Sequence, residues 1–313
     1  EVDLSMLNNT TVTPNGALFR TDKQGFLPEL LEEMYDQRVL FKNKMINKQK
    51  ELETIDKNDL VKRKECEYEI VKYHNNQMVR KIALNSCYGA LGNQYFRYFN
   101  REIAEGITTS GQLSIKWVER AVNDYLNKLL ETDKDYVVAI DTDSIYVTFE
   151  DLIDRVKPNN PVDFLDTIAK DKFEPMINRS YEELASYTNA YQNKMEMGRE
   201  VIADKGIWTA KKRYILNVHD SEGVRYKTPK LKMMGIETAK SSTPMWCRKK
   251  LEEGIRTLMN GSENDVHEFI ESSRLEFNKL PIEEVSFPRG VSDIKKYYNA
   301  ASIYNKGTPV SYT

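Results

Sequence analysis

Two aspartates separated by one residue lie between two short apolar runs near the middle of the chain. Asp141-Thr142-Asp143-Ser144 follows Tyr136–Ile140 and precedes Ile145–Phe149, and both runs are rich in β-branched and aromatic residues. This pattern predicts a β-hairpin with two carboxylates at its tip. Crowded like charges are unfavourable unless a cation binds them, and hard oxygen ligands of this kind suit Mg2+. Turns also favour aspartate, so a metal site and a plain polar turn are both open interpretations.

A second set of polar residues shares one face of a long helical pattern. Lys81, Asn85 and Tyr88 are spaced i, i+4 and i+7, which places them on the same side of a helix. A lysine offers a point charge to a phosphate, and a tyrosine offers a flat ring on which a base can stack. The competing interpretation is a solvated helix face with an ordinary buried tyrosine.

Arg38 and Lys42 form a similar cationic pair on an earlier helical pattern, again at i, i+4 spacing. If the two helices pack antiparallel, Arg38, Lys42 and Lys81 can converge on one triphosphate. Taken singly, each of the three is an ordinary surface charge.

Positive charge is concentrated in a third region of the chain. The segment from Lys205 to Lys250 holds twelve lysines or arginines against three acids, with aromatic residues and glycines interleaved. It is either a solvated face or a surface that follows a phosphate backbone, since counterion release supplies most non-specific nucleic-acid affinity. Within it, Lys211-Lys212-Arg213-Tyr214 is predicted to start a strand, where alternate side chains face opposite sides.

Periodicity predicts the elements that position these groups. Two long helical patterns, one after Gly25 and one from about Glu67 to Leu91, flank a polar stretch and indicate an antiparallel helical hairpin. A third helix is predicted from about Ser110. Strands are expected over residues 200–233, and two more helices after Pro244 and from Ser262. The apolar stripe predicted for the third helix consists of Leu113, Trp117, Ala121, Tyr125 and Leu129.

The composition is that of an ordinary soluble protein. Of 313 residues, 40% are hydrophobic and 30% are charged, and the formal net charge is −2, which excludes a disordered chain and a bulk polycation. No apolar run approaches the roughly 18 residues that a membrane helix needs. The three cysteines are widely spaced and suggest neither a disulfide framework nor a zinc pair, so a reducing cytoplasm is expected.

In their order along the chain, these motifs resemble the family B DNA polymerases. The resemblance is carried by Lys81-x3-Asn85-Ser86-x-Tyr88-Gly89, by Asp141-Thr142-Asp143-Ser144 and by Lys211-Lys212-Arg213-Tyr214. It covers nearly the whole chain, and three ordered motifs are far more specific than one. The longer runs look closest to the replicative polymerases of large tailed bacteriophages: Tyr88–Asn93, Phe96–Tyr98, Lys230–Thr238 and Lys240–Pro244.

The resemblance implies an α+β fold built from a palm, fingers and a thumb. The palm has an antiparallel sheet with packed helices and is expected over residues 1–25 and 94–235. Residues 26–93 are expected to form helical-hairpin fingers that close over the incoming deoxynucleotide. Residues 236–313 resemble the first part of a mainly helical thumb, cut short at the end of the chain.

The resemblance also implies two-metal nucleotidyl transfer to a primer 3′-hydroxyl, directed by a template. Asp143 is then the main Mg2+ ligand and Asp141 an auxiliary acid, and both count as catalytic. Glu200 matches an additional acid near the metals. The acid that the phage enzymes carry two residues earlier is Gly198 in this chain.

Further residues match positions that bind the nucleotide and the DNA. Arg38, Lys42 and Lys81 match positions that hold the triphosphate, with Lys81 also counted as catalytic, and Asn85 and Tyr88 match positions lining the nascent base pair. The residues expected to follow the primer-template are Lys211, Lys212, Arg213, Tyr214, Lys230, Lys232 and Lys240.

One indispensable part of the family's site is missing from this sequence. The other catalytic aspartate belongs to an Asp-x-x-Ser-Leu-Tyr-Pro-Ser motif, which does not occur here. The chain begins with Glu1 and stops at Thr313 without a helix cap. We therefore expect a carboxy-proximal part that is inactive until an amino-terminal part joins it, covalently or as a separate subunit.

The expected partners are primer-template DNA, deoxynucleoside triphosphates (dNTPs) and a sliding clamp in the complete enzyme, with no membrane. The expected location is the cytoplasm of an infected bacterial host. Two other classes stay open. One is a non-catalytic primer-template-binding module that retains the polymerase fold, and a more distant one is a phosphatase or kinase that uses an Asp-x-Asp motif.

Overall fold

The computed structural model describes residues 4–5, 7–290 and 309–312. Long helices and small sheets alternate along the chain, so the mixed α+β class is confirmed. The chain divides into two compact units, one up to Ile202 together with His219–Thr228, the other Ala203–Val218 together with the chain from Pro229. Residues 1–3 and 6 of the expected palm, and 291–308 and 313 of the expected thumb, lie outside the described residues.

The first unit opens with a small antiparallel sheet and a long helical hairpin. Strands β1 (Thr10–Val12) and β2 (Leu18–Arg20) pair with each other. Helices α1 (Phe26–Thr54) and α2 (Leu60–Leu91) follow. Helix α2 begins earlier than predicted. The Asp59 side chain caps it by accepting the Lys62 backbone N–H at 3.1 Å. The first turn is charged and lacks the apolar periodicity that predicts a helix.

Contacts along the two helices confirm that they pack antiparallel. Near the base, Arg80 donates from Nε to Gln37 Oε1 at 2.9 Å, and its guanidinium lies 4.5 Å from the Phe41 ring centre. Nearer the tip, the buried Cys66 thiol donates to the Lys48 carbonyl at 3.2 Å. Burial raises the pKa of the Cys66 thiol, which keeps it protonated and unreactive.

Helix α3 (Arg101–Leu130) begins well before the predicted Ser110. Asn100 starts it by accepting the Ile103 backbone N–H at 3.0 Å, which is a capping signal rather than a hydrophobic one. Its buried stripe also lies one residue beyond the predicted one, so Leu129 is exposed and Leu130 is buried. The residues on the buried stripe are Val118, Val122, Leu126 and Leu130.

A β-hairpin and three helices pack against α3 to form the main core. Strands β3 (Val137–Asp141) and β4 (Ser144–Val147) pair antiparallel, as predicted. The helices are α4 (Glu150–Val156), α5 (Pro161–Ile168) and α6 (Glu174–Tyr187), the last two joined by a π-helical turn. Buried residues of this core include Val118, Val122, Leu126, Tyr136, Val137, Phe173, Ile177 and Tyr181.

The basic region forms a three-stranded sheet in the order β5 (Val201–Ala210), β6 (Arg213–Ser221) and β7 (Val224–Met234). Two-residue turns join neighbouring strands, which requires antiparallel pairing. Lys211 and Lys212 form the first turn, with φ +58° at Lys212, so the prediction that both belong to a strand is wrong. The alternation expected across Lys211 to Tyr214 therefore applies only from Arg213 onward.

The second unit ends in helices packed beside a small core. Helices α7 (Met245–Asn260) and α8 (Glu263–Phe277) are confirmed, and a short α9 (Ile282–Val285) follows. Strands β8 (Phe287–Gly290) and β9 (Pro309–Tyr312) pair antiparallel. The core of this unit is formed by Ile215, Ile236 and Met259. In the described part of the chain, every helix is either too short or too polar to span a membrane.

Candidate active site

The tip of the β3–β4 hairpin holds two carboxylates in a compact turn. Asp141 is the last residue of β3 and lies opposite Ser144 in the register. The turn closes because the Asp143 backbone N–H donates to the Asp141 carbonyl at 2.8 Å and Ser144 Oγ donates to the same carbonyl at 3.2 Å. Thr142 has φ +60°. Asp141 is half-buried, whereas Asp143 is exposed to solvent.

The base of this hairpin is fixed to α3 and α4 by polar contacts. Asn123 Oδ1 accepts the backbone N–H groups of Tyr136 at 2.9 Å and Val137 at 3.1 Å. The buried Tyr136 hydroxyl donates to Asp151 Oδ2 at 3.0 Å. Hydrogen bonds from Lys134 and then from Tyr136 lower the pKa of Asp151, which keeps this acceptor ionised. The acidic tip therefore projects from a base with little freedom to move.

The two aspartates at the hairpin tip suit a cation that also takes ligands from water and substrate. Within residues 4–5, 7–290 and 309–312, no three Asp, Glu, His or Cys side chains gather into a metal-binding group. Glu200 is therefore not grouped with Asp141 and Asp143. Mg2+ is commonly held by one or two carboxylates, waters and substrate phosphates, so the two aspartates fit a share of such a site.

Glu200 follows an arginine, Arg199, that belongs to no motif of the sequence but lies in a buried charge cluster. Arg199 forms ion pairs with Asp166 and with Asp220, and the Arg199 and Asp220 side chains are only 10% and 2% exposed. These partners lie 33 and 21 residues away in sequence, so no local pattern signals the cluster. The network anchors the segment that ends at Glu200, which is itself exposed.

The helical hairpin places two of the predicted nucleotide-binding cations at one level. The Arg80–Gln37 hydrogen bond joins the residues that immediately precede Lys81 and Arg38. Lys81 is exposed on α2, whereas Arg38 is half-buried on α1. Among the described residues, the buried Arg38 Nε has no hydrogen-bond partner, so this N–H still has a hydrogen bond to donate.

The third predicted cation, Lys42, already forms an ion pair within the protein. Its ammonium pairs with the carboxylate of Glu222, in the turn between β6 and β7. Lys42 lies one helical turn beyond Arg38 toward the tip of the hairpin. Asn85 and Tyr88 lie beyond Lys81 on α2, and both are exposed. Tyr88 is 43% exposed, so the alternative of an ordinary buried tyrosine is wrong.

The residues predicted to contact DNA differ in their exposure. Lys211 is exposed in the β5–β6 turn, whereas the Tyr214 ring is buried within the sheet. Arg213 and Lys240 both pair with Glu237, at 2.6 and 3.3 Å. The pKa of the Glu237 carboxyl is lowered, first by a hydrogen bond to its own backbone. The hydrogen bond from Lys240 and the positive charge of Arg213 lower it further. Lys212, in the β5–β6 turn, is exposed. On β7, Lys230 is exposed and Lys232 is half-buried.

Comparison with known proteins identifies the class to which this fold and these motifs belong. The family model described as DNA polymerase family B matches residues 1–159, and the chain belongs to that family.

Among its relatives, the chain is 35% identical to the DNA-directed DNA polymerase of Enterobacteria phage T4 and 36% identical to that of Escherichia phage RB69, each over 91% of the chain. It is also 29% identical, over 66% of its length, to a DNA polymerase of Pyrococcus glycovorans. The chain spans 37% of the length of each phage polymerase.

Proposed function

We propose that this chain forms polymerase-active-site elements of a phage-type, template-directed DNA polymerase. The enzyme would add deoxynucleotides to a primer 3′-hydroxyl by two-metal nucleotidyl transfer. The observation that carries the proposal is the acidic tip of β3–β4, where Asp141 and the exposed Asp143 stand on a base fixed by Asn123. Rigid placement of charged groups is what phosphoryl-transfer catalysis requires.

Each group has a distinct role in this proposal. Asp143 and Asp141 would hold Mg2+, which when bound would neutralise phosphate charge and favour the ionised primer hydroxyl. Lys81 contributes a point charge to the triphosphate, and Arg38 contributes a planar donor group. Tyr88 supplies an exposed ring against the nascent base pair, and Asn85 lies beside it.

The proposal includes a further catalytic acid from outside these 313 residues. The two-metal reaction needs another ligand, and β3–β4 is only a two-stranded sheet among the described residues. Val138 and Ile140, which alternate with the buried Val137 on β3, are exposed. An additional strand carrying an aspartate could pair with β3 and cover these side chains. It would come from an amino-terminal part, covalently joined or separate.

The expected domains and partners follow from the same proposal. Residues 26–93 act as fingers over the nucleotide, residues 1–25 and 94–235 as palm, and residues from 236 onward as the start of a thumb. The substrates would be dNTPs and primer-template DNA. Lys211, Lys230 and neighbouring cations would contact the phosphate backbone of the DNA. A sliding clamp would bind the complete enzyme, which would work in the cytoplasm of an infected bacterium.

Replacing the main predicted metal ligand tests this function. Asp143→Asn in the complete polymerase should reduce primer extension by several orders of magnitude and leave primer-template affinity unchanged, because the change removes a metal ligand and no DNA contact. Asp133→Asn, which neutralises an exposed acid in the loop before β3, is the matched control and should extend normally. Normal extension by Asp143→Asn would overturn the assignment of the site.

A titration of DNA binding separates the polymerase from a non-catalytic binding module. Primer-template affinity is measured across salt concentrations with and without the correct dNTP. A polymerase site should tighten its hold on DNA when the templated nucleotide is added. Affinity that is indifferent to every nucleotide would favour the binding module instead.

A further inference from the structure

The turn between β6 and β7 reaches the helix that carries two of the proposed triphosphate ligands. The Glu222 carboxylate pairs with the ammonium of Lys42, and the two side chains are 25% and 36% exposed. The ammonium of Lys50, two turns farther along α1, lies over Gly223, since a Cβ built there would be 3.1 Å from Lys50 Nζ. The turn therefore lies along one face of α1.

This turn is held in place from its other side. Glu222 and Gly223 both have positive φ, +51° and +80°, as expected for a tight hairpin turn. The Gly223 N–H donates to Asp220 Oδ1 at 2.9 Å, and Asp220 is itself buried against Arg199. The Glu222 N–H donates to the Glu200 carbonyl at 2.6 Å. The Glu222 carboxylate is thus attached to a rigid support.

We infer that Glu222 is a positioning residue that competes with the incoming triphosphate for Lys42. It neutralises and orients Lys42 while no nucleotide is bound, and it releases the ammonium when the more highly charged triphosphate arrives. This inference rests on the proposed role of Lys42 in nucleotide binding. The backbone N–H of the same residue donates to the carbonyl of Glu200, which lies outside the aspartate pair at the β3–β4 tip.

The physical reason is that one ammonium cannot serve two anions fully. Nucleotide binding must first break the Lys42–Glu222 pair, so part of the triphosphate's attraction offsets that loss. A partly exposed ion pair has a modest strength, which corresponds to about a two- to fivefold change in an equilibrium constant. Removing the Glu222 charge should therefore strengthen dNTP binding by about that factor.

The test uses rapid single-turnover kinetics on the complete polymerase, which separates dNTP affinity from the rate of the chemical step. Glu222→Gln should lower the dNTP Kd about two- to fivefold and leave the maximal rate unchanged. Glu222→Asp, which keeps the charge and tolerates the left-handed backbone, should behave like the wild type. Glu69→Gln is the matched control, since Glu69 pairs with a different α1 lysine, Lys48, at 2.7 Å. It should leave the dNTP Kd unchanged.

A double-mutant cycle distinguishes failure of this inference from failure of the proposed function. Lys42→Ala should weaken dNTP binding, and adding Glu222→Gln to it should cause no further change. If Lys42→Ala weakens binding but Glu222→Gln alone does not strengthen it, the competition is absent. If Lys42→Ala leaves dNTP binding unchanged, Lys42 is not a triphosphate ligand and the proposed role itself fails.

Discussion

Arg199 pairs with the carboxylate of Asp220 in the interior of the first unit, where the aspartate side chain is 2% exposed. A second carboxylate, Asp166, binds the other terminal nitrogen of the same guanidinium. Asp220 also accepts the backbone N–H of Gly223 and lies 3.3 Å from Arg225 Nε. One buried arginine thus ties the segment before β5 to a helix and to the β6–β7 turn.

Asp220→Asn should destabilise the protein by about 3 kcal/mol or more, because it removes one charge from a buried pair and leaves Arg199 incompletely compensated. The free energy of unfolding in urea gives the measurement. Glu252→Gln is the control, since Glu252 pairs with Arg256 at 2.9 Å on the surface and should change stability little. Equal unfolding midpoints for the two variants would contradict a structural role for the cluster.

The stability supplied by Asp166 should depend on pH in a defined direction. Burial opposes its ionisation, but hydrogen bonds from Lys170 and Arg199 outweigh burial and lower the pKa of Asp166 below its ordinary 3.8. A lowered pKa stabilises the folded state above pH 3.8, and this contribution is lost as pH falls through the lower folded-state value.

The stability difference between wild type and Asp166→Asn should therefore be largest near neutral pH and shrink below about pH 4. Urea unfolding across a pH series, with Asp133→Asn as the exposed control, measures this difference. A gap that stays constant down to pH 2 would show that Asp166 does not act through its charge.

Gly235→Ala should be destabilising by more than about 1 kcal/mol, because the residue has a positive φ and a Cβ would collide with the Lys212 carbonyl. Gly111→Ala provides the opposite case, since this glycine lies within α3 and an added Cβ would meet nothing within 4 Å. It should stabilise the protein by about 0.5–1 kcal/mol. Thermal unfolding of both variants checks the prediction, which fails if the two substitutions act in the same direction.

Lys211→Ala should weaken primer-template binding equally for all sequences and reduce the slope of log affinity against log salt by about one. The reason is that, under the proposed function, this exposed turn lysine would contact a phosphate and release a counterion. Lys128→Ala, an exposed lysine near the end of α3, should leave the slope unchanged. Identical slopes for wild type and Lys211→Ala would remove Lys211 from the DNA surface.

The sequence predicts best those elements that have strong local sequence patterns. The change from helical to strand periodicity around Asp141 and Asp143 gives the β-hairpin, because both the flanking β-branched runs and the turn residues favour it. Periodicity does not predict the start of α3, because that start depends on one cap, Asn100. The sequence predicts a strand at Lys211 and Lys212 because no glycine or proline marks their turn.

The candidate site was predictable only where its parts lie close together in sequence. The helical spacing of Lys81, Asn85 and Tyr88 puts them on one exposed face, as expected. The Lys42–Glu222 pair and the Arg199 cluster form between segments far apart along the chain, so tertiary packing alone brings these charges together.

Because α1 is long, a small rotation at its base displaces residues farther along the helical hairpin by several ångströms. Its 29 residues extend about 44 Å at 1.5 Å per residue, and Lys42 lies about 24 Å from the base. A rotation of about 10° at the base would move Lys42 by about 4 Å, while the far end of the helix would move by about 8 Å. A rotation of about 10° would therefore be enough to separate Lys42 from Glu222, and under the proposed function it would release this lysine to the triphosphate.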